Sequence, residues 1–263
     1  MPGGSEAALL EAFGLERRRY VHLIGGGGKT TLMFAAARAL AAAGHSVLTT
    51  TTTRILIPEP AESDCVVSDT EARPLAERLR REFATRRHVT VLAPDPAGGR
   101  KAGGLSPAVL DALLEAHVSD HLLVEADGAA GRSLKAHADH EPVVSPRADL
   151  VIAVIGVDCL GLPMDDAHVH RAALLRERLG RPAGALVAAA DVGGILLHPE
   201  GYFRRIGPGT ARIVFLNQAD TPQALRRARA LAGTLAGMDP GGCFERIVVG
   251  DVKAGTFETH VPA

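Results

Sequence analysis

The chain contains no tryptophan, only two tyrosines and seven phenylalanines. Single-stranded nucleic acids are held largely by stacking bases on aromatic side chains, and so few aromatics cannot build that platform. Charge of one sign is missing as well. The formal net charge is −1, which leaves no basic footprint for a phosphate backbone. Arg78-Leu79-Arg80-Arg81 and Arg226-Arg227-Ala228-Arg229 mix basic and apolar residues at helical spacing and read as solvated helix faces. Cys65, Cys159 and Cys243 are isolated, with no C-x-x-C pair. That excludes a disulfide framework and structural zinc, and it suits a reducing compartment. No apolar run approaches the length of a membrane span, and the N-terminus lacks a basic segment followed by an apolar core. These absences predict a cytoplasmic protein with neither a nucleic-acid nor a membrane partner.

What the chain does have is 263 residues, 46% of them hydrophobic, with alanine supplying much of that share. Leu122-Leu123-Val124, Leu150 to Ile155 and Ile213 to Leu216 are apolar runs without alternation. Such runs suit strands buried on both faces of a parallel sheet. Further strands are expected at about 20–24, at 46–53, at 64–67, at 88–92 and at 246–249. Helices are expected at 5–13 with a serine cap, after the glycine loop as far as Gly44, after an Asp69 or Thr70 cap, after Ser106-Pro107 and after Thr221-Pro222. Strands alternating with helices imply β-α-β units. The fold class is α/β, a P-loop NTPase-like, mostly parallel sheet with helices on both faces. Residues 1–17 read as an N-terminal helical extension and residues 18–263 as the P-loop NTPase-like domain. The Gly- and Pro-bearing stretch 94–104 is the candidate mobile loop.

The densest chemical signal is Gly25-Gly26-Gly27-Gly28-Lys29-Thr30-Thr31, lying between an apolar strand and a small-residue helix. Glycines let successive backbone N–H groups face one anion, and the helix N-terminus adds its positive end. Lys29 would reach the β- and γ-phosphates, and the Thr30 hydroxyl would ligate Mg²⁺. The usual spacing G-x-x-x-x-G-K-[ST] would need a glycine at position 23, which is Leu23, so the loop is a variant of shape G-x-x-G-K-T.

Two carboxylates complete this reading. His121 to Val124 form a strand ending in Glu125, Ala126, Asp127 and Gly128, and the C-terminal ends of parallel strands are where α/β sheets bind ligands. Glu125 and Asp127 divide between holding Mg²⁺ and orienting a nucleophile, and spacing does not say which does which. Thr49 to Thr53 close the second strand, where Thr51 is a candidate Mg²⁺ ligand and Arg54 would neutralise charge. Late in the chain, Asn217-Gln218-Ala219-Asp220 resembles the N-K-x-D guanine-recognition element, with Gln218 in place of lysine. A carboxylate at Asp220 would accept the N1–H and the exocyclic amine that guanine offers and adenine lacks. The alternative is a turn preceding a capped helix.

Taken together, several motifs resemble the YqeC-type proteins, named as accessory proteins for selenium-dependent molybdenum hydroxylases or as selenium-cofactor biosynthesis proteins. The motifs are the Gly25–Thr31 loop, the Thr49–Thr53 tract, Val124 to Gly128, Gly131-Arg132-Ser133-Leu134-Lys135, His140-Glu141-Pro142, Val169-His170-Arg171 and Leu216 to Asp220. They run in order from about residue 18 to 250. Departures are Gln218 and the pair Ala129-Ala130, where Ser-Arg is commoner. The resemblance implies a P-loop NTPase in a cofactor pathway, with a molybdopterin-type cofactor and a molybdenum hydroxylase as partners. It also favours His170 and Arg171 as substrate or phosphate contacts. Arg132, Lys135, His140 and Glu141 add charges that suit an anionic substrate such as a phosphorylated pterin. An alternative gives His137, Asp139 and His140 to a metal, although their spacing matches no standard site.

The expectation is therefore an enzyme that binds and hydrolyses ATP or GTP with Mg²⁺, with Lys29, Glu125 and Asp127 catalytic. Gly25 to Thr31, Asn217 and Asp220 would contact the nucleotide, and Thr30, Thr51, Glu125 and Asp127 the metal. A small-molecule kinase, a Mur-like ligase and a nucleotide-gated cofactor-delivery chaperone are the rivals.

Overall fold

The apolar runs become strands buried along their whole length. In the computed structural model, which describes residues 3–94 and 99–261, the chain sorts into two compact units. The first comprises Met1–Leu23, Thr30–Gly128 and Val143–Leu150, and the second Ile24–Lys29, Ala129–Pro142 and Val151–Ala263.

The first unit holds α1 (Gly4–Phe13), β1 (Tyr20–Gly25, its last two residues assigned to the second unit), α2 (Lys29–Ala42, opening on the second unit's last loop residue), β2 (Val47–Thr51), β3 (Ile55–Leu56), β4 (Val66–Ser68), α3 (Ala72–Phe83), β5 (His88–Leu92), β6 (Lys101–Ala102), α4 (Pro107–Glu115) and β7 (His121–Glu125). Its strands lie in the order β1-β7-β2-β5-β4, and every neighbouring pair is parallel. Strands β1, β2, β5 and β7 are buried at every residue, as expected of strands covered on both faces. Leu75 and Leu79 of α3, with Leu110 and Leu113 of α4, close one core with Leu48, Val89, Val91 and Leu122. Ser106 caps α4, its hydroxyl accepting the Val109 N–H at 3.4 Å with Pro107 in the first turn.

The second unit holds β8 (Leu134–Lys135), β9 (Leu150–Gly156, its first residue assigned to the first unit), β10 (Val169–His170), α5 (Ala172–Leu179), α6 (Ala189–Leu197), β11 (Ala211–Asn217), α7 (Pro222–Met238), β12 (Arg246–Asp251) and β13 (Thr256–His260). Here the strand order is β9-β11-β12-β13, with β11 and β12 parallel and β12 and β13 antiparallel. A separate parallel pair, β8 with β10, sets Leu134 opposite Val169 and Lys135 opposite His170. Thr221 caps α7 by accepting the Ala224 N–H at 3.1 Å.

Three local expectations change. Helix α1 starts at Gly4, and its entry is fixed by the Glu6 carboxylate accepting the Gly3 N–H at 2.8 Å, so Ser5 is not the cap. Helix α3 is preceded by Glu71; the Asp69 carboxylate accepts the Thr70 and Glu71 N–H groups and shapes the turn before it. Within 94–104, residues 95–98 lie outside the described residues, and Lys101–Ala102 pairs with Ile55–Leu56 as β6 against β3.

His22 stands out in the first unit. It is fully buried in β1, its ring 4.6 Å from that of Tyr20, and among the described residues neither ring nitrogen has a hydrogen-bond partner. Burial lowers its pKa to about 3, and burial likewise lowers His88 to about 4. An unfolded histidine takes up its proton near pH 6.5, so below that pH the unfolded chain binds protons that the folded chain does not. Stability is therefore complete above about pH 6.5, falls with pH, and stops falling on account of His22 only near pH 3. In urea unfolding, His22→Leu should shrink the loss of stability between pH 7 and pH 5 by about 2 kcal/mol. An unchanged loss would show that His22 is not the proton acceptor.

Candidate functional site

The phosphate loop of the second unit is shaped by contacts that leave no room for side chains. The Gly26 N–H donates to the Val154 carbonyl at 2.9 Å and the Gly27 N–H to the Arg132 carbonyl at 3.0 Å. A Cβ on Gly26 would lie 2.2 Å from that Arg132 oxygen. At Gly27 the backbone has φ +70°, and a Cβ would lie 2.2 Å from the Gly156 nitrogen. Both positions therefore need glycine, one for space and one for space and φ together. Lys29 is 5% exposed, and its ammonium donates to the Gly25 carbonyl at 2.5 Å, folding the side chain back over its own loop. The first N–H groups of α2 have no intrahelical acceptor, so that helix start offers donors for an anion.

Asn217, at the end of β11, belongs to the same unit and has a double task. Its amide Nδ2 donates to the Gly27 carbonyl at 2.7 Å, while its Oδ1 accepts the Val252 N–H at 3.2 Å. The side chain thus ties the loop to the end of β12. Gln218 has φ +66°, and its Oε1 accepts the Ser133 hydroxyl at 3.2 Å. Asp220 is exposed.

In the first unit, Thr30 directly follows Lys29 in the chain, and its hydroxyl donates to Glu125 Oε2 at 2.6 Å. The turn that presents Glu125 is held by the threonine tract. The Thr51 hydroxyl donates to the Glu125 carbonyl at 2.8 Å, the Thr52 N–H donates to the same carbonyl at 3.0 Å, and the Thr53 N–H donates to the Thr51 hydroxyl at 3.0 Å. Thr49 serves packing, with its hydroxyl against His88 Nε2 at 2.9 Å and the Thr90 hydroxyl at 2.7 Å. Asp127 is fully buried two residues beyond Glu125, and Arg54 is exposed. Among the described residues no cluster of three or more His, Cys, Asp or Glu side chains is suited to a metal. The Thr30 hydroxyl and Glu125 carboxylate nevertheless make an all-oxygen pair, the hard donor chemistry Mg²⁺ takes. That ion binds through one or two carboxylates and fills its other positions with phosphate oxygens and water.

The remaining predicted residues split by position. Lys135 is fully buried and donates to Glu141 Oε2 at 2.9 Å, and Arg171 Nη1 donates to that same oxygen. Burial alone would raise the Glu141 carboxyl pKa; hydrogen bonds from Arg171 and Lys135, with their charges, override it and hold the group below the usual range. His137 is buried edge-on against Tyr202, with ring centroids 4.7 Å apart, and Asp139 pairs with Arg204 at 3.3 Å, so neither joins the metal set considered above. His140 is exposed. Motif reading missed Tyr202, which is fully buried, accepts the Lys135 N–H at 3.3 Å and would lie 2.8 Å from a Cβ on Gly25. A lone tyrosine in a helix-poor stretch carries no motif signal. The contribution of Arg132 to the loop is through its carbonyl, which no side-chain pattern encodes.

No helix among the described residues is long and apolar enough to cross a membrane. The crystal structure of the hydrogenase maturation factor HypB from Archaeoglobus fulgidus superposes with a TM-score of 0.40 at 13% identity, covering 96% of this chain and 90% of that one. The superposition is loose, and the assignment of a P-loop NTPase-like α/β fold rests on the parallel strand order and the strand–glycine loop–helix unit. The protein YqeC of Escherichia coli (strain K12) is 34% identical over 118 residues, which are 45% of this chain and 46% of that protein, so the match spans about half the length of that relative. The model of the family described as YqeC protein matches residues 21–173, more than half of the chain, and the chain belongs to that family.

Proposed function

We propose that the protein binds and hydrolyses a nucleoside triphosphate with Mg²⁺. One observation carries the reading: Lys29 ends the glycine loop, and the next residue, Thr30, directs its hydroxyl to Glu125 Oε2 at 2.6 Å. Lys29 would meet the phosphates, and Thr30, its neighbour in the chain, the metal. Glu125 and Thr30 would hold Mg²⁺, which when bound offsets charge on the β- and γ-phosphate oxygens. Thr51 supports Glu125 from behind, through its bond to the Glu125 carbonyl. That bond is our reason to give Thr51 a positioning role in place of the direct metal contact expected from sequence.

Asp127 is left to orient the attacking water. Attack at the γ-phosphorus breaks the bond to the β–γ bridging oxygen and releases a nucleoside diphosphate and phosphate. Lys29 exchanges its bond to the Gly25 carbonyl for the β- and γ-phosphate oxygens, stabilising the charge that develops there. The exposed Asp220 would read the base as guanine, from a turn that Asn217 anchors to the loop. Action in selenium or molybdenum cofactor maturation for molybdenum hydroxylases is the setting that the YqeC resemblance supplies.

Lys29→Ala should lower nucleotide turnover by about 100-fold or more, measured as phosphate release, since it removes a cation aimed at developing charge. Wild-type turnover in that variant would overturn the phosphate-loop assignment. Glu125→Gln and Asp127→Asn should each slow turnover roughly 10- to 100-fold while nucleotide affinity changes much less. If both variants turn over at the native rate, the carboxylates that act lie elsewhere. GTP should bind more tightly than ATP by a modest margin, because Gln218 replaces the lysine whose stem usually packs near the base. Asp220→Asn should erase that margin, a bidentate charge-assisted contact being worth on the order of 2–3 kcal/mol at most. Equal or tighter ATP binding by the native chain would make the Asn217–Asp220 turn structural.

A further inference from the structure

Beside the phosphate loop, the second unit carries a cleft of about 430 Å³, within the range of small-molecule sites. Its apolar lining comes from Ala130, Val169, Ala173 and Leu174, and its cationic lining from Arg132 and Arg171, with His170 between them in sequence position and half-buried. We propose that this cleft is a second ligand site, for a small phosphate-bearing organic anion whose apolar body lies on Ala173 and Leu174. The site goes beyond the nucleotide reading and does not depend on it.

Both guanidinium groups are held in place before any ligand arrives. Arg132 donates from Nε to the Asp166 carbonyl at 3.1 Å and from Nη1 to the Ala130 carbonyl at 3.3 Å. Arg171 is fixed through Glu141, and that carboxylate is shared with the fully buried Lys135. The acid that lines the cleft, Asp166, has its Oδ1 engaged by the Ala172 N–H at 3.1 Å, at the start of α5. Two planar forks suit the several oxygens of a phosphate better than a single point charge would.

The backbone points the same way. Ala130 and Arg171, both lining the cleft, are non-glycine residues in the left-handed region, at φ +48° and +60°. Such conformations persist where surroundings over-determine them, and they gather at ligand sites. The pairing of β8 with β10 fixes the segments carrying Arg132 and Arg171 side by side. Arg132 also lends its carbonyl to the Gly27 N–H at 3.0 Å, so a ligand on its guanidinium rests on the segment that shapes the phosphate loop.

Phenyl phosphate, a phosphate on an apolar ring, is the probe. Calorimetric titration in a Lys29→Ala background keeps it from competing for the phosphate loop. Saturable binding is expected there, weakened roughly tenfold or more by adding Arg132→Gln, which removes one fork. Ala173→Glu should weaken it by a similar factor; position 173 is exposed on α5, so the added carboxylate repels the probe with no core disturbed. No saturable binding in the Lys29→Ala background, or binding that neither second substitution weakens, overturns the proposal. GTP titrated into the native chain is read separately, and its failure would count against the nucleotide assignment while leaving the cleft result standing.

Discussion

Four consecutive glycines hold the loop against backbone on every side, and the rest of the second unit is arranged around that fit. Val154 and Gly156 at the end of β9, the Arg132 carbonyl and the Asn217 amide all meet the loop at distances where a single methyl group would collide. Close backbone packing of this kind fixes the direction of each N–H group without a side chain to do it. It also gives Asn217 a structural task. The guanine-recognition pattern is read from sequence as a base contact, yet the asparagine spends both ends of its amide on the loop and on Val252.

In the first unit the threonine tract performs a comparable service for a charged group. The backbone of Glu125 is fixed by Thr51 and Thr52, both bonded to its carbonyl. A run of five threonines looks like strand filler or a row of metal ligands when read alone. The geometry shows a division of labour: Thr49 packs among His88 and Thr90, while Thr51 and Thr53 brace the turn. Hydroxyl groups bonded to main chain are fixed locators, with little freedom left.

Most strands were legible because a strand covered on both faces must be apolar at every position, as at Leu150 to Gly156. The short pairs β3 with β6 and β8 with β10 left no such trace, since two-residue strands have no period to detect. Strand β13, Thr256–His260, is partly exposed and alternates weakly, so it raised no strand expectation. Helices α5 and α6 are short, and neither begins with a capping side chain that accepts an N–H bond: Arg171 precedes one and Ala188 the other. Among candidate site residues, the loop and the acids at 125 and 127 carry type-specific chemistry and stand out in the sequence. Lys135 and Glu141 were visible as charges, but charge alone does not show that the two pair with each other in the interior.

The loop also sets a timetable for the protein's own synthesis. Residues 24–29 are made well before their packing partners: Val154 and Gly156 come more than a hundred residues later, and Asn217 is separated from Gly27 by 190 positions. At ordinary elongation rates that interval is roughly 10–40 s. Through it the Gly27 carbonyl lacks its asparagine partner, and a chain cut short before β11 never gains the bond. Because both compact units are discontinuous in sequence, no single truncation releases either one whole. The packed form of the loop is therefore complete only once β11 and β12 have been made.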